Sequence, residues 1–212
     1  MKTKLFTVIA VVMLSVAALQ AQVSFGVVAG PNFQNMTGKD SNGDKLENGL
    51  IVGFHAGVKA NVPIATDFFF QTGLLYSCKG SKNDFFRPAK STSSELNTTT
   101  RIGYIELPLN LIFRPAFADG HILIGFGPYV AYGIGGSQKY EEGTLTYTQD
   151  IKFKGEVTFE EQYWDMSNTY YRAFDAGANI FAGYELDLGV YIQLNAQLGL
   201  LEINPNIPDD WD

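Results

Sequence analysis

Residues 188–200, "LGVYIQLNAQLGL", change sides chemically at almost every step. Leu188, Val190, Ile192, Leu194, Ala196, Leu198 and Leu200 form one series, and Tyr191, Gln193, Asn195, Gln197 and Gly199 form the other. A period of two belongs to an extended strand, whose successive side chains point to opposite faces. One face is therefore continuous hydrocarbon and the other is largely amides. Few folds can use such a strand, and the first question is which solvent each face meets.

Six more segments share this period. They are "VSFGVVAG" (23–30), "LIVGFHAGVKANV" (50–62), "FFFQTGLLYSCKG" (68–80), "IGYIELPLNLIFR" (102–114), "HILIGFGPYVAYGIGG" (121–136) and "FDAGANIFAGYEL" (174–186). Most run to about 13 residues, past the ~5–6 of a usual globular strand and enough for the ~9–11 that a tilted membrane strand requires. Their connections alternate in length. Short ones occur at "PIATD" (63–67), "PAFADG" (115–120) and "DLG" (187–189), and long polar ones at 31–49, 81–100 and 137–169. That rhythm fits an outer-membrane barrel with tight periplasmic turns and larger outside loops.

The chain opens with Lys2 and Lys4, an apolar run Leu5–Ala18, and "ALQAQ". This is the layout of a secretory signal peptide over residues 1–21, cleaved after Ala21, with a barrel domain over 22–212. The run is too short for a spanning helix, which needs ~20 apolar residues. Without Lys2 and Lys4, 13 basic side chains face 22 acidic ones, a net charge of −9. A polyanion has no electrostatic reason to bind nucleic acid. The single cysteine, Cys78, excludes an internal disulfide, and two histidines without an HExxH motif speak against a catalytic zinc.

Two orientations compete. In a soluble lipocalin-like barrel the apolar faces point inward, and in a membrane barrel they point at lipid. Volume favours the membrane barrel. The polar faces are rich in glycine, while the oily faces carry bulky Phe, Leu, Ile and Tyr that seven or eight strands cannot enclose. Glycine facing water weakens a strand, whereas glycine facing a crowded lumen makes room. The inward charges must then pair with one another, and Lys59, Arg114, Glu106, Asp175 and Glu185 supply both signs. Aromatics near the short turns (Phe68–Phe70, Phe113, Phe117) and the long loops (Tyr76, Tyr132, Tyr170, Tyr171) suggest two interfacial girdles.

At "RIGYIELPLNLIFRP", "GPYVAYGIGG" and "FDAGANIFAGYEL" the chain resembles the Bacteroidetes outer-membrane beta-barrel family often labelled PorT-like. The shared elements are a first strand of the "FGVVAGPNF" type, the Y-[IL]-E-[LIV]-P pattern at Tyr104–Pro108, and Gly-Pro-Tyr at Gly127–Tyr129. The resemblance implies an OmpX-like, eight-stranded, antiparallel up-and-down transmembrane barrel in the outer membrane of a Gram-negative bacterium. It implies no activity and no cofactor, and it does not carry over the founding member's role in protein secretion. Its expected partners are outer-membrane lipids, the barrel-assembly machinery and a protein at the extracellular loops. The family ends in an eighth strand with a terminal aromatic. Here "EINPNIPDDWD" reads as a fourth long loop, so the closing strand is expected to be missing by truncation.

Candidate chemistry is sparse. Asp40, Asn42 and Asp44 imitate the start of a calcium loop, but Lys45 replaces the required Gly and Ile51 the bidentate Glu, so a solvated loop is expected. Glu106 with His55 is the one acid–base pairing on offer to an outer-membrane lipid-modifying enzyme. Both lie on the inward face, away from lipid, so structural filling is the better account. His121, just after a short turn, reads as interfacial. No catalytic, cofactor or metal residue is assigned. The segment 143–164 also alternates, through Leu145, Tyr147, Gln149, Ile151 and Phe153, and is expected to form a hairpin that lengthens the barrel beyond the membrane.

Overall fold

The computed structural model describes residues 23–36, 48–86, 95–165 and 167–206. The expected leader and the "DSNGD" loop lie outside them. The strands are β1 (Ser24–Gln34), β2 (Asn48–Gly49), β3 (Ile51–Ala65), β4 (Phe68–Phe86), β5 (Glu95–Phe113), β6 (Ala116–Phe117), β7 (Gly120–Glu142), β8 (Leu145–Phe153), β9 (Asn168–Tyr171), β10 (Phe174–Leu186) and β11 (Tyr191–Gly199). They form one sheet whose main path is β1-β3-β4-β5-β7-β10-β11, with every neighbour on that path antiparallel. The seven alternating segments are the seven strands of this path, so the fold is all-β apart from one six-residue helix, Phe159–Trp164.

Tight turns gather at one end, the turn end. Asp67 (φ 61°), Ala118 (φ 49°) and Gly189 (φ 86°) take the left-handed conformation there. Adjacent turns are stitched by Arg114 N–H to Asp67 C=O (2.7 Å) and Asp187 N–H to Asp119 C=O (3.3 Å). The opposite, loop end is built up further than the sequence suggests. β4 continues to Phe86 and β5 starts at Glu95, so much of the expected loop 81–100 is paired strand. β7 likewise runs on to Glu142 and folds back as β8 around Gly143 (φ 58°).

The hairpin expected within 143–164 is half right. β8 is one of its arms, but its partner is the top of β7, Ser137–Glu142, and Phe159–Trp164 is helical. Thr158 and Glu161 form a reciprocal capping box, in which the Thr158 hydroxyl accepts from Glu161 N–H and the Glu161 carboxylate accepts from Thr158 N–H. Those local bonds satisfy donors that a strand would need a neighbour for. β8 therefore shares an edge of β7 with β10: β10 pairs with Gly120–Tyr132 and β8 pairs above it.

The sheet curls into an incomplete tube with its oily faces outward. Phe25, Leu194 and Ile192 are 82%, 82% and 76% exposed, while Lys59, Gln71, Glu106, Asn110, Asp175 and Asn179 are buried. The interior is layered. Near the loop end, Ile102, Tyr104, Tyr129, Ala131 and Ile151 form a cluster backed by Met36, Phe153, Tyr171 and Ile203. Near the turn end, Ile112, Leu123 and Phe181 pack with Phe69 and Tyr191. Tyr170 and Tyr171 are thus not girdle residues. β9 pairs with β8 over the mouth, which carries Tyr171 inward and buries Tyr170. The turn-end girdle is present, with the Phe68 and Phe113 rings 5.0 Å apart on the outward face.

Candidate functional site

Between the two apolar clusters lies a charged layer. Lys79 on β4 places Nζ 3.2 Å from Glu106 Oε2 on β5 and 3.1 Å from Asp175 Oδ2 on β10. Tyr129 on β7 donates its hydroxyl to Asp175 Oδ2 (3.1 Å), and its ring lies 4.3 Å below the Lys79 ammonium. Gln197 on β11 donates to Glu106 Oε1 (2.7 Å). Five strands therefore converge on one ammonium and two carboxylates. Their inward positions follow from strand alternation, and their meeting follows from the curl. A buried ion pair survives desolvation better when further donors meet its oxygens; Tyr129 gives Asp175 Oδ2 a second donor and Gln197 gives Glu106 Oε1 one.

Nearer the turn end, Arg114 Nη2 pairs with Glu185 Oε1 at 2.9 Å, with its guanidinium over the Phe69 ring. An amide chain lies just above: Asn110 donates to Gln71 Oε1 (3.3 Å) and Gln71 to Asn61 Oδ1 (2.8 Å). Together these groups fill the cross-section. Glycine makes the room, as expected. At Gly125 an added Cβ would sit 2.2 Å from Phe181 Cζ, and at Gly133 one would sit 2.5 Å from the Phe153 ring.

Of the expected inward charges, Glu106, Asp175, Arg114 and Glu185 are paired. Lys59 has no carboxylate within 4 Å among the described residues; its nearest partner is Gln193 Oε1 at 3.5 Å. The cation of the charged layer is instead Lys79, whose inward direction follows from the alternation of the segment 68–80. Tyr129 and Gln197 were missed too, and the alternation that turns them inward was the available signal. No hydrogen bond or ion pair among the described residues joins His55 to Glu106. His55 lies against β1, with Cε1 3.2 Å from where a Gly30 Cβ would stand. His121 stays at the turn end, its Nδ1 3.8 Å from Asp187 Oδ1. Among the described residues no His, Cys, Asp or Glu group could hold a metal ion.

At the loop end Asp165 organises the segment between the helix and β9. Its carboxylate accepts from Ser167 N–H (2.9 Å), Asn168 N–H (3.1 Å), the Asn168 amide (2.9 Å) and the Tyr170 hydroxyl (2.6 Å). Four donors on one carboxylate stabilise its charged form. The Tyr170 hydroxyl first, then Asn168 and Ser167, hold its pKa down to about 2. The same bond raises Tyr170 to about 12, because the phenolate would lose it.

The tube stays open along one line. β1 and β11 are the two free edges, and the cleft between them, about 830 Å³, is lined by Phe25, Gly26, Val27, Val28, Ala29, Val58, Gly189, Val190 and Tyr191. Two described side-chain hydrogen bonds reach across it, from the Tyr191 hydroxyl to Val27 C=O (3.4 Å) and from Lys59 Nζ to Gln193 Oε1 (3.5 Å). Seven traversals are an odd number, so both edge strands run from the turn end to the loop end. They are parallel to each other, unlike every other neighbouring pair on the path.

No helix among the described residues is long and apolar enough to cross a membrane. The family model described as outer membrane protein beta-barrel domain matches residues 19–202, most of the chain. No curated protein and no solved structure matches it. An outward hydrocarbon face, an inward polar one and this match agree on the outer membrane as the location. The chain belongs to the outer membrane protein beta-barrel domain family.

Proposed function

We propose that the chain is a non-enzymatic outer-membrane barrel of the eight-stranded type, whose lumen is plugged by its own side chains and whose work is done at its ends. The observation that carries this reading is the Lys79–Glu106–Asp175 layer, braced by Tyr129 and Gln197 and sandwiched between two apolar clusters. A small barrel filled in this way has no open channel. Enzymatic lipid modification is not favoured, because Glu106 is bonded to Lys79 and Gln197 and faces away from lipid.

In this reading the turn end is periplasmic and the loop end extracellular, where the tall β7–β8 hairpin and the capped helix offer a structural or binding surface to a protein partner. A strand running from the loop end to the turn end fills the place between β11 and β1. Only that sense is antiparallel to both edges. Without it, edge N–H and C=O groups would face hydrocarbon, at several kcal/mol each. Tyr104–Pro108 and Gly127–Tyr129 support a kinship with the PorT-like barrels of Bacteroidetes, and leave a secretion role untransferred. The barrel-assembly machinery would insert it, after removal of the leader.

The test is reconstitution of the detergent-extracted protein in planar bilayers. The expected result is a heat-modifiable barrel with no stepwise conductance. Steady single-channel steps in the wild type would overturn the plugged lumen.

A further inference from the structure

Among the described residues Lys59 is a lumen cation with no acid within 4 Å. It is only 6% exposed, yet among the described residues it has an amide, Gln193 Oε1 at 3.5 Å, and the faces of two rings, Phe181 at 5.7 Å and Tyr191 at 5.8 Å. Its counterparts Lys79 and Arg114 both hold carboxylates. An ammonium so far from water is costly unless a charge of opposite sign meets it.

The space for that charge lies at the seam. Lys59 is in register with Gly26 on β1, which turns inward, between the outward Phe25 and Val27. A Cβ at Gly26 would meet nothing within 4 Å. Gln193, across the seam on β11, also turns inward, between the outward Ile192 and Leu194. Among the described residues, a cation without a counter-charge, an empty stretch of inner wall and two unpaired strand edges therefore coincide at one level of the tube.

A second copy of this chain does not fit the place. Inserted in the same sense, it would offer β1 or β11 as its free edge, and either would pair in parallel. An acyl chain would fill the apolar volume but bond none of the edge amides. Only a backbone of the opposite sense answers the edges, and only an acid answers Lys59.

We propose that the strand closing this seam carries an aspartate or glutamate on its lumen side, opposite Gly26, and that this carboxylate pairs with Lys59. The inference rests on the reading above that such a strand completes the tube. It names what that strand must bring. The pair would form a second ionic layer, closer to the turn end than the one at Lys79, and would fix the register of the closing strand. A slip by one residue would turn the acid into lipid.

Two fluorescent peptides of the same 11-residue length as β1, alternating threonine toward the lumen and leucine toward lipid, test this. They differ only at the ninth residue, Glu or Gln, which faces Gly26 when the peptide lies antiparallel along Ser24–Gln34. Binding to the detergent-folded chain is followed by anisotropy. The Glu peptide should bind at least about tenfold more tightly, the worth of one charge-assisted bond. Lys59→Gln should erase the preference. So should Gly26→Asp, which supplies the carboxylate from β1 into open space and keeps the test informative if Lys59→Gln folds poorly. Equal binding of both peptides overturns the acid while leaving strand closure standing. If neither peptide binds, and the chain associates with itself instead, strand closure falls as well.

Discussion

Lys79 Nζ stands 3.1 Å from Asp175 Oδ2, although 96 residues separate them and their strands, β4 and β10, are not neighbours in the sheet. The bond crosses the tube rather than following its wall. The ammonium bridges Asp175 and Glu106 at once, so its loss leaves two buried carboxylates without their shared cation. Lys79→Met should cost about 3–5 kcal/mol, as breaking one partner of a buried pair does. Equilibrium urea unfolding in lipid vesicles measures it. The triple variant Lys79→Met, Glu106→Gln, Asp175→Asn should regain most of the loss, and a loss unchanged by the two added substitutions would argue that packing of the Lys79 stem is what matters.

The Phe181 ring rests on Gly125, with no room for even a methyl group between them. Gly125→Val should therefore destabilise the barrel by about 1–3 kcal/mol through overpacking. Shortening the ring in Phe181→Leu should relieve part of that cost, so the double variant should fall short of the sum of the singles. Additive costs in a double-mutant cycle would show that the ring does not carry the strain.

Leu194 is 82% exposed on the oily face, while its neighbour Gln193 turns inward toward Lys59. Leu194→Arg should destabilise the inserted barrel by about 2–4 kcal/mol, the cost of a cation at the bilayer midplane. Spin labels at positions 192 and 194 should both be accessible to oxygen and shielded from water-soluble relaxants. Water contact at those two sites would turn the barrel inside out.

Asp165 and Tyr170 give the loop end a defined titration. Because Asp165 is held down to about 2, the stability it lends is fully present above its ordinary pKa near 3.8 and disappears as pH falls toward 2. Tyr170, raised to about 12, works at the other extreme: its contribution is intact below about 10 and fades between 10 and 12. A phenolate absorbance titration should find one tyrosine ionising near 12, and Asp165→Asn should bring it back toward 10. An unshifted Tyr170 in the wild type would mean that the loop-end hydrogen bond is absent in solution.

The seven strands of the main path were legible because their signal is local. Alternation shows which residues share a face, and the punctuation of Pro, Asp and Gly shows where the chain reverses. The outward stripe of β11 follows from that logic. Less legible were the strand ends. The tops of β5 and β7 are largely polar on both faces, so little in their composition marks where a strand gives way to a loop. The segment 155–164 alternates faintly, yet Phe159–Trp164 is a helix, because the Thr158–Glu161 capping box satisfies its own backbone locally.

By itself the sequence determined the seven strands of the main path, the sense of their faces and the membrane as the solvent for one of them, since each depends on the identities of residues two apart. Only the tertiary structure decided that Lys79 rather than Lys59 holds the two acids, that Tyr171 turns into the mouth, and that β8 shares an edge of β7 with β10. Those outcomes depend on how far the sheet curls and on the register between strands far apart in the chain. Curl and register set distances across the lumen, and a one-dimensional pattern fixes the direction of a side chain but not which distant partner it meets.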